Sequence, residues 1–216
     1  MKSEVNGIPV NTLRRLPSYL QYLRKLAARG RDVVSCTHLG EHLHLDPTLV
    51  RKDLQATGIV GKPKVGYSVP ALIAAIEHLL GWDNVTDAFL VGAGSLGTAL
   101  LGYDGFREHG LNIVAAFDVD PAKIGTTIHG KQVLPLDQFA DLAARLHIHI
   151  GIITVPAESA QEVADLMVLS GIKAIWNFAP TDVQVPAGVI VENVRLSASL
   201  AVLSTRLAAL LRAGQS

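Results

Sequence analysis

The sequence contains little cysteine, few aromatic residues and no long apolar run. Of its 216 residues, one is cysteine and 5% are aromatic. A single cysteine excludes an internal disulfide and fits a reducing compartment, and the N-terminus lacks a signal-peptide pattern, so we expect a cytoplasmic protein. No apolar run approaches the roughly 20 residues that span a bilayer, so we expect no membrane partner.

Clustered metal ligands are scarce as well. His38 and His42 share one face of a predicted helix, and His44 follows shortly after. A structural metal site needs three or four ligands at suitable spacing, and no cysteine or carboxylate stands beside these histidines at such a spacing. We therefore predict no metal site.

Net charge is zero, because 19 basic residues balance 19 acidic ones, but the two signs are separated along the chain. Residues 1–70 hold 11 Lys and Arg against 5 Asp and Glu, whereas residues 71–216 hold 8 against 14. A basic small domain beside an acidic remainder favours a polyanionic partner. We predict three parts, at residues 1–80, 81–194 and 195–216.

The basic segment is typical of a helix-turn-helix. Apolar residues between positions 13 and 27 recur at steps of three and four, which predicts a helix that either begins near Pro17 or bends there. Thr37 is the expected cap of a second helix, and Asp46 that of a third, with Pro47 at its first position. Two helices joined by a short turn form the usual DNA-reading unit.

The third helix and the segment after it carry the candidate nucleic-acid contacts. Thr48, Arg51 and Lys52 are expected to be exposed, and the planar guanidinium of Arg51 suits guanine. Residues 61–67 form a glycine-bounded basic hairpin like the wing of a winged-helix domain, whose lysines bind phosphates without regard to sequence. The alternative is a small helical domain that merely displays lysines.

A glycine motif marks the start of the acidic part. Residues 87–97 read Asp-Ala-Phe-Leu-Val-Gly-Ala-Gly-Ser-Leu-Gly, the pattern of a strand, a tight turn and the start of a helix. Gly92 permits the turn, Gly94 lets backbone approach a pyrophosphate, and Gly97 lets the helix pack closely on the sheet. The helix start at Ser95 offers unpaired N–H groups to phosphates. The motif predicts a dinucleotide site rather than a purely structural turn.

A second predicted strand ends on Asp118, 21 residues after Gly97. A carboxylate at about this spacing accepts hydrogen bonds from an adenosine ribose. Its charge would repel a 2′-phosphate, and no arginine immediately follows it. The spacing therefore favours NAD over NADP.

Strands and helices alternate through the rest of this part, which indicates a doubly wound, mostly parallel sheet. A strongly apolar strand is predicted over residues 148–155. Residues 154–157 and 177–180 lie at the carboxyl ends of two strands, where such sheets bind ligands, so we expect them to bracket a nicotinamide. Either loop alone could equally be a simple proline turn.

The last segment predicts a long helix with an apolar seam. The seam is formed by Leu196, Leu200, Leu203, Leu207 and Leu210. The helix could pack on its own sheet, but the chain offers no obvious place for it to fold back. We expect it to be exchanged between two protomers.

With these residues identified, the chain resembles the bacterial Rex family of redox-sensing transcriptional repressors, which respond to NADH and NAD. The resemblance extends over residues 9–210. The matching stretches, in order, are residues 50–54, 65–67, 92–97, 117–121, 154–157, 171–173, 177–180 and 191–194.

The resemblance implies an α/β protein with an N-terminal winged helix-turn-helix domain, a Rossmann-like doubly wound parallel sheet and a C-terminal helix swapped between subunits. It implies a homodimer that binds double-stranded operator DNA and releases it when NADH binds. NAD(H) would then be an effector and not a reactant, and no residue would be catalytic.

Site residues follow from the resemblance by position. It places Arg51 and Lys52 on a recognition helix, which Thr48 would share, and Lys62, Lys64 and Tyr67 on the wing. It places Tyr103 near the cofactor and the partner's C-terminal helix. The expected cofactor-binding residues are Gly92, Ala93, Gly94, Ser95, Leu96, Gly97, Tyr103, Asp118, Thr154, Pro156 and Phe178.

The chain departs from the family in three places. Residues 55–57 read Gln-Ala-Thr where members carry an aromatic-rich stretch, and residues 62–64 read Lys-Pro-Lys where Lys/Thr-Arg-Gly is usual. Arg195 stands where the family commonly has an aspartate that takes part in contacts between domains. This charge reversal predicts a changed switching contact, with a changed operator or altered discrimination between NADH and NAD.

Two other functions share parts of this pattern. An NAD-dependent dehydrogenase needs a proton donor facing the nicotinamide, but residues 154–157 and 177–180 contain no His, Lys or acid. A CoA-binding domain, like those of acyl-CoA ligases, shares the glycine turn and the sheet. It gives no reason for the basic wing.

Overall fold

The computed structural model describes residues 4–213, which form two compact units. The first takes in the chain up to Val85 together with Glu108–Gly110. The second takes in Thr86–Arg107 and the chain from Leu111 onward.

The first unit combines short strands with helices. The strands β1 and β2 pair antiparallel, and so do β3 and β4. Its elements, in chain order, are β1 (Glu4–Val5), β2 (Ile8–Pro9), α1 (Val10–Ala28), β3 (Val33–Val34), α2 (Cys36–Leu43), α3 (Pro47–Gln55), β4 (Tyr67–Ser68) and α4 (Val69–Leu80). The helices α1, α2 and α3, together with the pair formed by β3 (between α1 and α2) and β4 (after α3), give the winged helix-turn-helix that the sequence predicts.

The core of this unit lies between α1 and α4. Leu16, Leu20 and Leu23 recur at helical spacing on one face of α1 and are almost fully buried. They belong to the same apolar cluster as Leu72 and Ile76 of α4. Burial of such side chains stabilises a fold by roughly 1.5–3 kcal/mol each, so this face holds α1 in place.

The structure excludes one predicted alternative for a helix end and corrects another expectation. The helix α1 begins at Val10, so Pro17 lies well inside it, which excludes a start near Pro17. The helix α2 is capped by Ser35 rather than Thr37, and the Ser35 hydroxyl accepts a hydrogen bond from the backbone N–H of His38 at 3.1 Å. A cap needs extended backbone, which Ser35 has with φ −97°, whereas Thr37 already lies in the helix.

The second unit is built around a seven-stranded sheet. Its elements are β5 (Thr86–Val91), α5 (Ser95–Leu101), α6 (Gly105–Glu108), β6 (Leu111–Asp118), β7 (Thr127–Ile128), β8 (Lys131–Pro135), α7 (Phe139–Arg145), β9 (Ile150–Ile153), α8 (Ala157–Leu169), β10 (Ala174–Asn177), β11 (Ile190–Asn193) and α9 (Leu196–Ala213). The strand order is β11-β10-β9-β5-β6-β8-β7, and every neighbouring pair is parallel except β7 with β8.

This order confirms the doubly wound sheet. The chain runs outward from β5 through β6 and β8, returns to β9 on the other side of β5, and continues outward to β11. The order reverses between β5 and β9, which is where such sheets bind ligands. The strand β5 is buried on both faces, with Phe89 and Val91 in one apolar cluster and Ala88 and Leu90 in the other.

The strand β9 is shorter than predicted. It covers only Ile150–Ile153 of the predicted span 148–155. Ile148 is buried in the cluster beside α7 and lies before the strand, and Thr154 leaves the strand to bond with the loop after β5. Apolar character alone therefore overestimated the length of the strand.

The helix α9 has no buried residue. Its predicted apolar seam is solvent-exposed in the single chain, and Leu196 and Leu210 are each 70% exposed. With 18 residues and a mean hydropathy of 1.3, α9 is also long and apolar enough to cross a membrane. Core helices of other proteins meet the same criterion.

Candidate nucleic-acid interface and dinucleotide site

The helix α3 is fixed at its start by the residues the sequence singled out. The Asp46 carboxylate accepts hydrogen bonds from the backbone N–H groups of Thr48 at 2.7 Å and Leu49 at 3.4 Å. These bonds hold the pKa of Asp46 below its usual value. Pro47 occupies the first turn, where its missing N–H costs no helix bond. The predicted cap is confirmed.

One face of α3 is free for a ligand. Thr48, Arg51, Lys52 and Gln55 are all exposed. Their spacing of i, i+3, i+4 and i+7 puts them in one stripe, while Val50 lies on the buried side. Gln55 was not among the predicted contacts. Its distance of four residues from Arg51 is the sequence signal that would have found it.

The opposite side of α3 is anchored by Asp53, whose side chain is 1% exposed. It accepts two hydrogen bonds from the Arg15 guanidinium at 2.7 Å, one from the Thr12 hydroxyl at 2.8 Å and one from the Tyr19 hydroxyl at 2.9 Å. Burial raises the pKa of Asp53, but these donors and the Arg15 charge outweigh burial and lower it overall. Asp53 thus fixes the exposed stripe relative to α1.

The wing forms a tight hairpin. Lys62 and Gly66 exchange two backbone hydrogen bonds of 2.8 and 2.9 Å, and the Val65 N–H donates to the Lys62 carbonyl. Pro63 fixes the first central position of the turn, and Lys64 adopts the left-handed φ of 62°. A lysine bears some strain there that a glycine would not. Both lysines are exposed.

Tyr67 differs from the two lysines. It lies in β4, is half-buried, and packs its ring over Gly61 at the base of the wing. Burial and the neighbouring Cys36 thiol raise the pKa of Tyr67. The structure therefore gives Tyr67 a supporting position in the wing.

The histidines do not gather into a metal site. Within residues 4–213, no group of three or more His, Cys, Asp or Glu is placed to hold a metal ion. His38 is hydrogen-bonded through Nε2 to the Tyr22 hydroxyl at 2.7 Å, and the His42 ring stacks on Tyr22 with 3.6 Å between centroids. These two histidines pack α2 against α1.

The three glycines of the turn after β5 have different roles. Gly92 has φ 104°, and a Cβ there would lie 2.8 Å from the Thr154 backbone. A Cβ on Gly97 would lie 2.0 Å from the Gly92 carbonyl oxygen. A Cβ on Gly94 would meet nothing within 4 Å. Gly92 and Gly97 are therefore required by the fold, whereas Gly94 borders open space.

Open space beside Gly94 coincides with free donors. The first hydrogen bond of α5 joins the Thr98 N–H to the Gly94 carbonyl, so the preceding N–H groups have no partner within the helix. Ser95 and Leu96 are exposed next to Gly94, whereas Ala93 is buried. The open space bounded by Gly94, Ser95 and Leu96 is the glycine cradle. A group that fills this cradle would meet N–H donors, as a pyrophosphate requires.

Thr154 is the structural partner of this turn. Its hydroxyl lies 3.0 Å from the Val91 carbonyl oxygen and 2.7 Å from that of Gly92, and its N–H donates to Val91 at 2.9 Å. The side chain, which the sequence placed near a nicotinamide, therefore ties β9 to the glycine turn. Pro156 is exposed and immediately precedes α8.

Asp118 is engaged within the protein. Its carboxylate accepts hydrogen bonds from the backbone N–H groups of Ala93 at 2.8 Å and Asp120 at 2.9 Å, and from Lys123 Nζ at 3.1 Å. Burial raises its pKa, but these donors lower it overall. The hydrogen bond to Asp118 raises the pKa of Lys123. Lys123 was not predicted, and it partly offsets the charge on which the preference for NAD rests.

An aromatic row runs along the second unit. The ring centroids of Tyr103 and Phe106 are 4.8 Å apart, those of Phe106 and Trp176 are 5.4 Å apart, and those of Trp176 and Phe178 are 4.8 Å apart. The row joins two predicted cofactor residues, Tyr103 and Phe178. Tyr103 is 55% exposed and can still contact a ligand or another chain.

The loop that carries Phe178 is organised by a fully buried side chain. Asn177 Nδ2 donates to the Thr181 carbonyl at 2.7 Å and to Asn193 Oδ1 at 2.9 Å, and Asn177 Oδ1 accepts from the Ala179 N–H. Beyond it, Arg195 forms an ion pair with Asp182. Asn177 and the Arg195–Asp182 pair thus fix the segments at the ends of β10 and β11 to each other.

Comparisons with known proteins agree with this arrangement. Residues 7–55 match the family described as "Putative DNA-binding protein N-terminus", and residues 83–181 match the family described as "CoA binding domain". The structure of RSP with β-NAD+ and operator DNA has a TM-score of 0.88 at 36% identity and covers 96% of each chain. That of RSP with β-NADH has a TM-score of 0.88 at 35% identity, covering 98% of this chain and 99% of that one.

Curated relatives cover nearly the whole chain. The redox-sensing transcriptional repressor Rex of Treponema denticola is 50% identical over 202 residues, which cover 94% of this chain and 95% of that protein. The Rex of Bacteroides fragilis is 46% identical, covering 93% and 91%. This chain therefore belongs to the Rex family of redox-sensing transcriptional repressors.

Proposed function

We propose that this protein represses transcription by binding double-stranded operator DNA as a homodimer, and that it releases the DNA when NADH binds. One observation carries the proposal: the same chain contains two features. The first is the anchored, exposed helix α3 with a basic wing, and the second is an open glycine cradle where the strand order of the parallel sheet reverses. The first feature suits DNA and the second a dinucleotide.

On the DNA side, the exposed stripe of α3 supplies base contacts and the wing supplies phosphate contacts. Arg51 can bind guanine in two places, and Gln55 can bind adenine in the same way. Lys62 and Lys64 add affinity that does not depend on sequence and falls with salt. Thr48 and Lys52 complete the stripe.

On the ligand side, NAD(H) is the effector that the cradle fits. Gly94, Ser95 and Leu96 would hold the pyrophosphate, with Gly92, Ala93 and Gly97 shaping the turn. Asp118 and Lys123 would face the adenosine ribose, and Thr154, Pro156, Phe178 and Tyr103 would lie on the nicotinamide side. The nicotinamide supplies a ring that is planar and cationic in NAD+ but neutral in NADH.

The homodimer explains the exposed apolar seam of α9. Isolated exposed leucines are ordinary, but a row of them along an 18-residue helix is typical of a protein–protein contact surface. We propose that α9 packs against a second copy, as a helix swapped between the subunits. The protein would act in the cytoplasm, where operator DNA and NAD(H) are both present.

The two alternative functions have less support. The curated relatives are named as repressors and not as enzymes, and the loops that would face the nicotinamide lack a proton donor. The match to a CoA-binding family covers only residues 83–181, whereas the Rex relatives cover both units. Release of bound NADH by excess CoA in a titration would favour the CoA-binding alternative.

Fluorescence anisotropy with a duplex selected from a randomised pool tests the proposal. At fixed salt, we expect NADH to weaken binding by about 5–150-fold, the usual range of coupling between two sites, and NAD+ to weaken it much less. Full DNA affinity at saturating NADH, or steady NADH consumption with a small carbonyl compound, would refute the proposal.

A further inference from the structure

A cavity of about 340 Å³ lies between the loops after β10 and β11. Phe178 is one of its lining residues, and Asn177 fixes its two walls to each other from inside the protein. Because Phe178 lies on the proposed nicotinamide side, charged side chains at this cavity would act on the ring.

Charge at this cavity comes from one pair of side chains. Among the described residues that line it, only Asp182 and Arg195 carry charge, and they form an ion pair with each other. Their side chains are 53% and 64% exposed. Arg195 directly precedes α9, and Asp182 lies on the loop that starts at Phe178.

The two forms of the cofactor differ by one unit of charge at the ring. A carboxylate near the ring favours the cationic form, NAD+, and a guanidinium favours the neutral form, NADH. Paired side chains nearly cancel, so each one limits the effect of the other. Removing one partner leaves the other uncompensated.

We infer that Asp182 and Arg195 together set the ratio of the affinities for NAD+ and NADH, and with it the NADH/NAD+ ratio at which the repressor switches. The inference rests on the proposed function. It gives Arg195 a partner within the same subunit.

The test is the dissociation constant ratio Kd(NAD+)/Kd(NADH), measured by calorimetry on the full chain. For Asp182→Asn we expect the ratio to rise by roughly 3- to 30-fold, and for Arg195→Gln to fall by a similar factor, as for an exposed unit charge a few ångströms from the ring. The double variant should return to near the ratio of the unmodified protein. Raising the salt concentration should shrink both shifts.

Two controls locate the effect. ADP-ribose lacks the nicotinamide, so its Kd should be the same in all variants. Arg145 and Asp141 form another exposed ion pair, 3.3 Å apart on α7, and Asp141→Asn should leave the ratio unchanged. ADP-ribose keeps the cofactor scaffold without the nicotinamide, and Asp141→Asn makes the same charge change away from the cavity.

The outcomes separate the inference from the function. If the unmodified protein binds neither NADH nor NAD+, the proposed function fails. If it binds both but the two single variants shift the ratio in the same direction, or by less than twofold, only the inference fails. It also fails if the Kd of ADP-ribose moves as much as that of NAD+.

Discussion

Replacing Asp53 by asparagine tests whether a buried carboxylate holds the recognition helix in place. Asparagine has nearly the same shape but cannot pair with a guanidinium as a charged group. In Asp53→Asn, Arg15 keeps its charge and loses the partner that accepts two hydrogen bonds of 2.7 Å. Thr12 and Tyr19 donate to different oxygens of Asp53, so only one of them keeps its acceptor when the other oxygen becomes an amide nitrogen.

The magnitude follows from the burial of the two partners. Removing one member of a buried ion pair costs about 3–5 kcal/mol, because the other charge is left uncompensated. The Arg15 side chain is 28% exposed and can turn partly to water, which lowers the cost. We expect Asp53→Asn to reduce the free energy of unfolding of the first unit by about 2–4 kcal/mol.

Urea denaturation with tryptophan fluorescence measures this loss. Trp82 packs against the core of the first unit and Trp176 against that of the second, so a Trp176→Phe background reports the first unit alone. Glu77→Gln is the matched control, because it removes a carboxylate that is 27% exposed from Arg24, also on α1. That pair should contribute at most about 1 kcal/mol.

A comparison of the two variants can refute the reasoning. If the losses of unfolding free energy in Asp53→Asn and Glu77→Gln differ by less than about 0.5 kcal/mol, burial does not increase the contribution of the Asp53 cluster to stability.

The pH dependence of the Asp53 contribution has a defined sign. Since the pKa of Asp53 is lowered in the folded protein, its contribution is complete above the unfolded value of about 3.9 and is lost as pH falls through the folded value. Asp53→Asn should therefore approach the unmodified protein in stability only in acid.

Three further substitutions test the two sites. Gly94→Ala should change the free energy of unfolding in urea by no more than about 0.5 kcal/mol, because the φ of −79° suits alanine and the added Cβ meets open space. The same substitution should weaken NADH binding at least about tenfold in a calorimetric titration. Unchanged NADH affinity would contradict the proposed cradle. Gln55→Ala should lose about 1–3 kcal/mol of discrimination at one base pair of each half-site in a panel of substituted duplexes, and a uniform loss over all duplexes would speak against base contact. Lys64→Asn keeps a residue that tolerates left-handed backbone and removes one charge from each subunit, so the slope of log affinity against log salt should decrease by about 0.9 per subunit of the dimer, whereas an unchanged slope would place Lys64 away from phosphate.

Local chemistry made much of the fold predictable. The cap at Asp46, the proline after it and the turn at Gly92 depend on residues within a few positions of each other, and all three are as predicted. The start of α1 and the end of β9 depend on packing against distant residues. Pro17 is held inside a helix by a buried face, and Thr154 leaves its strand to bond with Gly92, 62 residues away.

The same distinction applies to the site residues. The stripe on α3 was predictable because helical spacing defines it, and Gln55 was overlooked although it obeys the same spacing. Asp53 was not predictable as an anchor, because its donors lie 34–41 residues away along the chain. Lys123 follows Asp118 by only five residues, but nothing in a single sequence indicates that a surface lysine turns back toward a strand end.

The residues predicted to bind the dinucleotide fall into two groups by what they already contact. Thr154 and Asp118 are bonded to the backbone of the glycine turn, and Gly92 has no room for a side chain. Changes at these positions alter the shape of the turn, so a loss of binding there cannot be assigned to a lost ligand contact. Gly94 and Ser95 border open space and unpaired N–H groups. Substitutions at these two positions are therefore the ones that measure ligand contact separately from the fold.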